Sequence, residues 1–161
     1  MLHKFTNRIR NEAAATDPIL IIAGIAVSLI LLVGGSFAVQ GIITNGKDLN
    51  AKGDLDKVSV AEVAYYAQND RYVAYEKNGS TVLEDSGVGF RPTESAGADL
   101  IVEVHPDGQG WNAVARSASG ARFVKTSESN TIITVGKESA ADLAKTGLTA
   151  AELAALAALV G

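Results

Sequence analysis

From Pro18 to Gly46 the chain carries no charged side chain. Its centre, residues 19–35, is almost wholly isoleucine, leucine, valine, alanine and glycine. A helix over residues 19–43 is roughly 37 Å long, enough to cross a hydrocarbon core of about 30 Å. Such a stretch leaves two choices, a spanning helix or a secretory signal. A signal core is only about 7 to 15 residues long and closes on a small-x-small cleavage site, and neither condition is met before Gln40. The reading is therefore a spanning helix over residues 18–46, preceded by a basic leader and border at 1–17 and followed by a domain at 47–161. Lys4, Arg8 and Arg10 lie before the span, and the mixed residues Lys47, Asp48, Lys52 and Asp54 follow it. The excess of basic residues places the N-terminus in the cytoplasm and the rest outside.

Within the span, Gly24, Ser28, Gly35 and Ala38 recur near one helical face, where small side chains let neighbouring helices approach in lipid. Gly34, Gly35 and Ser36 together predict a bend or loose turn. Helical signals resume from about Asp54 to Asp70. Leu55, Val58, Glu62, Tyr65 and Asn69 form one row, and Val60, Ala64, Ala67 and Arg71 another. One row can cover a sheet, which leaves the other for a partner.

Beyond Tyr72 the periodicity shortens. Leu100, Val102 and Val104 alternate with Ile101, Glu103 and His105, the pattern of a strand with one buried face. The turn chemistry of Pro106, Asp107 and Gly108 returns the chain into a strand at Trp111–Arg116. A turn at 117–120 leads to a strand from Arg122, and a further strand spans 131–135. The whole reads as an antiparallel meander, which can be solvated on one face and needs a helix against the other. Residues 78–98 read as a surface loop with at most a short strand at 81–83. Thr149 and Glu152 form a T-x-x-E capping box, and Leu148 with Leu153 a hydrophobic staple. The apolar helix they start is too short to span a bilayer and must dock on protein. The expected class is α+β: a long N-terminal helix packed on a small antiparallel sheet, with a short C-terminal helix.

Chemistry is sparse. The chain has no cysteine and two histidines, which excludes thiol chemistry and disulfides. No nucleophile elbow, phosphate-binding loop or paired-histidine metal motif occurs. We expect no enzyme activity, cofactor or metal, and read His105 beside Asp107 as ordinary surface chemistry. Lys4, Arg8 and Arg10 against Glu12 and Asp17 leave the leader at +1, so the remainder carries −5 of the formal −4, a balance that repels nucleic acid. Arg116, Arg122 and Lys125 gather around one hairpin, the one place where a local DNA contact could form.

A basic leader, an apolar helix that continues as an amphipathic one, the run from Asp54 to Ala74 with its tyrosines, and the strand beginning at Gly110 and Trp111 together resemble a type IV pilin or pseudopilin. The resemblance covers most of the chain after Glu12. It implies a homo-oligomeric helical filament anchored in the membrane before assembly, a prepilin peptidase and an assembly ATPase as machinery, and cleavage between Glu12 and Ala13. Glu12 stands where prepilins usually have glycine. Asp17 then falls at the fifth mature position, where an acid pairs with the terminal amine of a staggered neighbour. A carboxylate at the lipid boundary is costly without such a partner, and Asp17 before Pro18 also suits a helix N-cap followed by proline. The principal alternative is a monomeric membrane-anchored binding or sensing module; a third is a membrane component of a virus or secretion apparatus. The resemblance predicts a mature chain that begins at Ala13, and intact-mass measurement of membrane-extracted protein checks it, since retention of Met1 contradicts the cleavage.

Overall fold

The computed structural model describes residues 18–77, 79–93 and 98–160. It shows an α+β chain whose first described element is a single helix, α1, at Pro18–Asn69. Two compact units meet at the Ile43–Thr44 bond.

In the first unit the described residues are all helical and all exposed. The helix runs uninterrupted through Gly34–Ser36, where a bend or loose turn is expected. The Ser36 hydroxyl donates to the Leu32 carbonyl at 2.8 Å, and the Ser28 hydroxyl to the Gly24 carbonyl at 2.8 Å. Each hydroxyl is thus satisfied inside the helix, as an apolar surrounding requires.

In the second unit α1 does not restart at Asp54, because it is already helical from Thr44. Gly46 and Gly53 have poor helix propensity, but Ala51, Leu55, Val58, Ala61 and Tyr65 repeat at helical spacing and are buried on one face. That burial outweighs the roughly 1 kcal/mol each glycine costs. The helix ends where Asp70 turns to φ 56° and its N–H donates to the Tyr66 carbonyl, a left-handed termination.

The helix leads into five antiparallel strands in sequential order: β1 (Tyr75–Glu76), β2 (Asp99–Val104), β3 (Trp111–Arg116), β4 (Arg122–Thr126) and β5 (Ser129–Thr134). Leu100 and Val102 from β2, Trp111, Ala113 and Ala115 from β3 and Phe123 from β4 face α1 and form the main core with it. Between β1 and β2 the expected short strand at 81–83 is instead a single helical turn, α2 (Val82–Asp85). It sends Leu83 inward, and Phe90 follows it into the core, stacked edge-on against Tyr75 at 5.2 Å between ring centroids.

The sheet face that a meander can leave to solvent is covered as well, by the capped C-terminal helix expected to dock on protein. Two helices follow β5: α3 (Ala140–Thr146) and α4 (Ala150–Leu159). Leu153, Leu156 and Val160 pack with Val114, Val124 and Ile133 in a second core, with Leu148 and Leu143 at its edge. Both helices start in complete capping boxes, Ser139 with Asp142 and Thr149 with Glu152. The hydrogen bonds from Ser139 and Thr149 hold the Asp142 and Glu152 carboxyls below the ordinary carboxylate range. Gly147, at φ 70°, supplies the left-handed residue that ends α3 and leads to the N-cap of α4 at Thr149. In the isolated unit from Thr44 onward, Thr149→Ala removes a cap and should lower stability by about 1 kcal/mol, read as a lower urea midpoint with an unchanged slope; an equal midpoint means α4 does not contribute to the cooperative fold.

Candidate assembly surface

Helix α1 presents one face to its own sheet in the second unit and leaves the opposite face bare. Leu49, Gly53, Val60, Val63 and Ala67 follow one another at spacings of three, four and seven residues, which keeps them on one side of a helix. Leu49 is 67%, Val60 72% and Val63 61% exposed. Of the second row read from sequence, Val60 and Ala67 lie on this bare side and Ala64 is half-buried at its margin. Sequence reasoning missed Leu49, Gly53 and Val63, although their spacing against Val60 was a readable signal.

In the first unit Gly24, Ser28, Gly35 and Ala38 are exposed. A Cβ built on Gly24, Gly34, Gly35, Gly41, Gly46 or Gly53 meets nothing within 4 Å. The chain's own packing therefore does not require glycine at any of these helical positions. Glu12, Ala13 and Asp17, the leader-processing and pairing residues, lie outside the described residues.

Alongside the bare face, Val88, Gly89 and Phe90 form a wall facing Gly53, Asp56, Lys57 and Val60, with an open groove of about 320 Å³ between. The wall is clamped to the helix by buried Asp54, whose carboxylate accepts from the Thr93 N–H and hydroxyl and from Lys57, each at 2.8 Å. A wider groove of about 620 Å³ runs along β1 and β2, lined by Tyr75, Glu76, Glu103, His105 and Pro106 among others. No group of three or more metal-ligating side chains occurs among the described residues.

The three cations read as a candidate DNA contact are not on one surface. Arg116 and Arg122 are cross-strand partners on the sheet face that carries Val114 and Val124. Lys125 projects from the opposite face, because side chains alternate along a strand, and its Nζ reaches Asp56 on α1 at 2.7 Å. The Lys125 side chain is 3% exposed and that of Asp56 63%. It ties the helix to the sheet from within the core.

One further charged group is buried in α1. Glu62 has no exposed surface; one carboxylate oxygen accepts the Val73 N–H at 3.1 Å, and the other is buried without a hydrogen-bond partner among the described residues. Burial pushes its carboxyl up to about 7, against a smaller lowering by the Val73 bond.

No protein-family model, curated protein or solved structure matches this chain.

The Lys125–Asp56 pair gives an asymmetric expectation. Removing the exposed partner strands a buried ammonium, whereas replacing the lysine by an apolar side chain of similar length removes the buried charge itself. Asp56→Ala should therefore destabilise the unit from Thr44 onward more than Lys125→Met does, by on the order of 1–3 kcal/mol; equal denaturant midpoints for the two variants would show that the ammonium is solvated.

Proposed function

We propose that the chain is a non-enzymatic structural subunit of a type IV pilus-like cell-surface filament, anchored by the apolar part of α1 and assembled through its helix faces. The observation that carries this reading is the bare apolar side of α1 at Leu49, Val60 and Val63. Lipid can cover the uncharged stretch from Pro18 to Gly46. It does not cover Val60 and Val63, which come after Lys47, Asp48, Lys52, Asp54, Asp56 and Lys57. Large apolar side chains kept in water mark a surface awaiting protein.

The helical glycines support the same reading. Each lowers helix stability relative to alanine, and none is needed for packing within the chain, so the value of a small residue there lies in close approach by another helix. The apolar, capped helix α4 and the two-sided sheet give a self-contained domain to display outward. The long apolar helix and the antiparallel sheet are consistent with a pilin-like architecture. In this reading Asp17 pairs with a neighbour's terminal amine after cleavage before Ala13, the N-terminus of the precursor faces the cytoplasm, and the energy for assembly comes from a separate ATPase.

Leucine at Gly24 or at Ala67 adds bulk where the chain itself has room, since a Gly24 Cβ meets nothing and Ala67 is exposed. Both variants should accumulate as folded membrane protein and be depleted at least tenfold from the sheared surface fraction. Imaging and immunoblotting of sheared material reads the outcome. Normal assembly of both variants, or a wild type never found as polymer, would replace the filament by the membrane-anchored binding module.

A further inference from the structure

We propose that Glu62 is a proton-operated latch: protonated, it holds the connector between α1 and β1 against the helix, and its ionisation releases that connector. The geometry is specific. Glu62 sits in the buried row of α1 between Val58 and Tyr65, with no exposed surface. Its single hydrogen bond crosses to the Val73 N–H, eleven residues on. That bond occupies the backbone donor of Val73, and β1 begins only two residues later, at Tyr75. The other carboxylate oxygen is enclosed without a partner among the described residues, so these offer one donor where an ionised carboxylate seeks several. Such a site accepts a neutral carboxyl more readily than a carboxylate.

Among the described residues no nearby charge relieves the ionised form. On α1 the adjacent titratable groups are Tyr65 and Tyr66, and the charged pairs Asp54 with Lys57 and Asp56 with Lys125 are satisfied among themselves. On the connector, Asp70 and Arg71 are exposed and Tyr72 is a phenol. On β1, the Tyr75 hydroxyl is bound to Glu84 of α2 at 2.6 Å. The helix-facing residues of β2 and β3 are Leu100, Val102, Trp111, Ala113 and Ala115, and β4 adds Phe123 and Lys125. Burial and the Val73 bond alone account for the position of the Glu62 carboxyl at about 7.

The direction follows by linkage. In an opened connector Glu62 returns to the ordinary carboxylate value of 4.5, whereas in the closed one it releases its proton only near 7. Opening therefore releases a proton, and raising the pH favours it throughout that interval. The latch is closed in acid and loosened at and above neutrality. The inference does not depend on filament assembly.

The test uses the full chain in detergent micelles. Hydrogen exchange at the Val73 amide is followed by NMR from pH 5 to pH 8 and corrected for base-catalysed intrinsic exchange. Protection should fall about tenfold per pH unit up to about 7 and then level off. In Glu62→Gln, which keeps an acceptor and cannot ionise, the corrected profile should be flat. Parallel profiles in the two proteins overturn the proposal. Carbon-13 titration of the Glu62 carboxyl in wild type gives a second, fold-independent reading: a midpoint near 7 supports the latch, and one near 4.5 overturns it even where the glutamine variant fails to fold.

Discussion

The structure beyond residue 44 depends on one helix face. Ala51, Leu55, Val58, Ala61 and Tyr65 lie against Trp111, Ala113, Ala115 and Phe123, and this contact explains several features that local preference would not. It keeps α1 helical through Gly46 and Gly53. It sets the register of the central strands, because a slip of one residue would turn Trp111 and Phe123 away from the helix. It also brings Asp54, Glu62 and Lys125 into a layer made largely of apolar side chains. Glu62 is held through Val73 and Lys125 through Asp56.

The same contact defines what is left over. A helix buried on one side has an opposite side at the same spacing, and here that side carries Leu49, Val60 and Val63 alongside the exposed Asp56. The second core, under α4, shows how the chain treats apolar surface it does not need outside: Leu153, Leu156 and Val160 are folded back onto Val114, Val124 and Ile133. The contrast gives the bare face of α1 its weight. The filament reading rests on that contrast and on the helical glycines, and the surfaces it invokes are separate from the buried carboxylate of Glu62.

Patterns that depend on neighbours a few residues apart were readable in the chain. The uncharged stretch announced a helix long enough to span a membrane. The alternation from Leu100, the turn at Pro106–Gly108 and the strand at Trp111–Arg116 follow from a period of two and from proline and glycine chemistry. The capping box at Thr149 is an adjacency of side chain and backbone that any helix start there would use. Ser139 and Asp142 carry the same S/T-x-x-D/E spacing, so α3 was equally legible and was overlooked.

What the sequence alone determined is thus the set of elements whose cause is local: the apolar span, the strands with their turns, and the capped terminal helix. Tertiary structure decided the rest. Gly34–Ser36 read as a bend or loose turn and the polar stretch at Gly46–Gly53 as a break because helix propensity is a small local quantity, while helix continuity past Thr44 comes from burial against strands distant in sequence. Residues 81–83 read as strand because Val82 and Leu83 suit either state, and a core site for Leu83 selected the helical turn. The separation of Lys125 from Arg116 and Arg122 arises because alternate residues of a sheet face opposite ways, so proximity in sequence did not become proximity in space. The buried acid at Glu62 was visible as a letter in an apolar row, but its burial, its lone donor at Val73 and its raised proton affinity arise only when the connector folds back onto the helix.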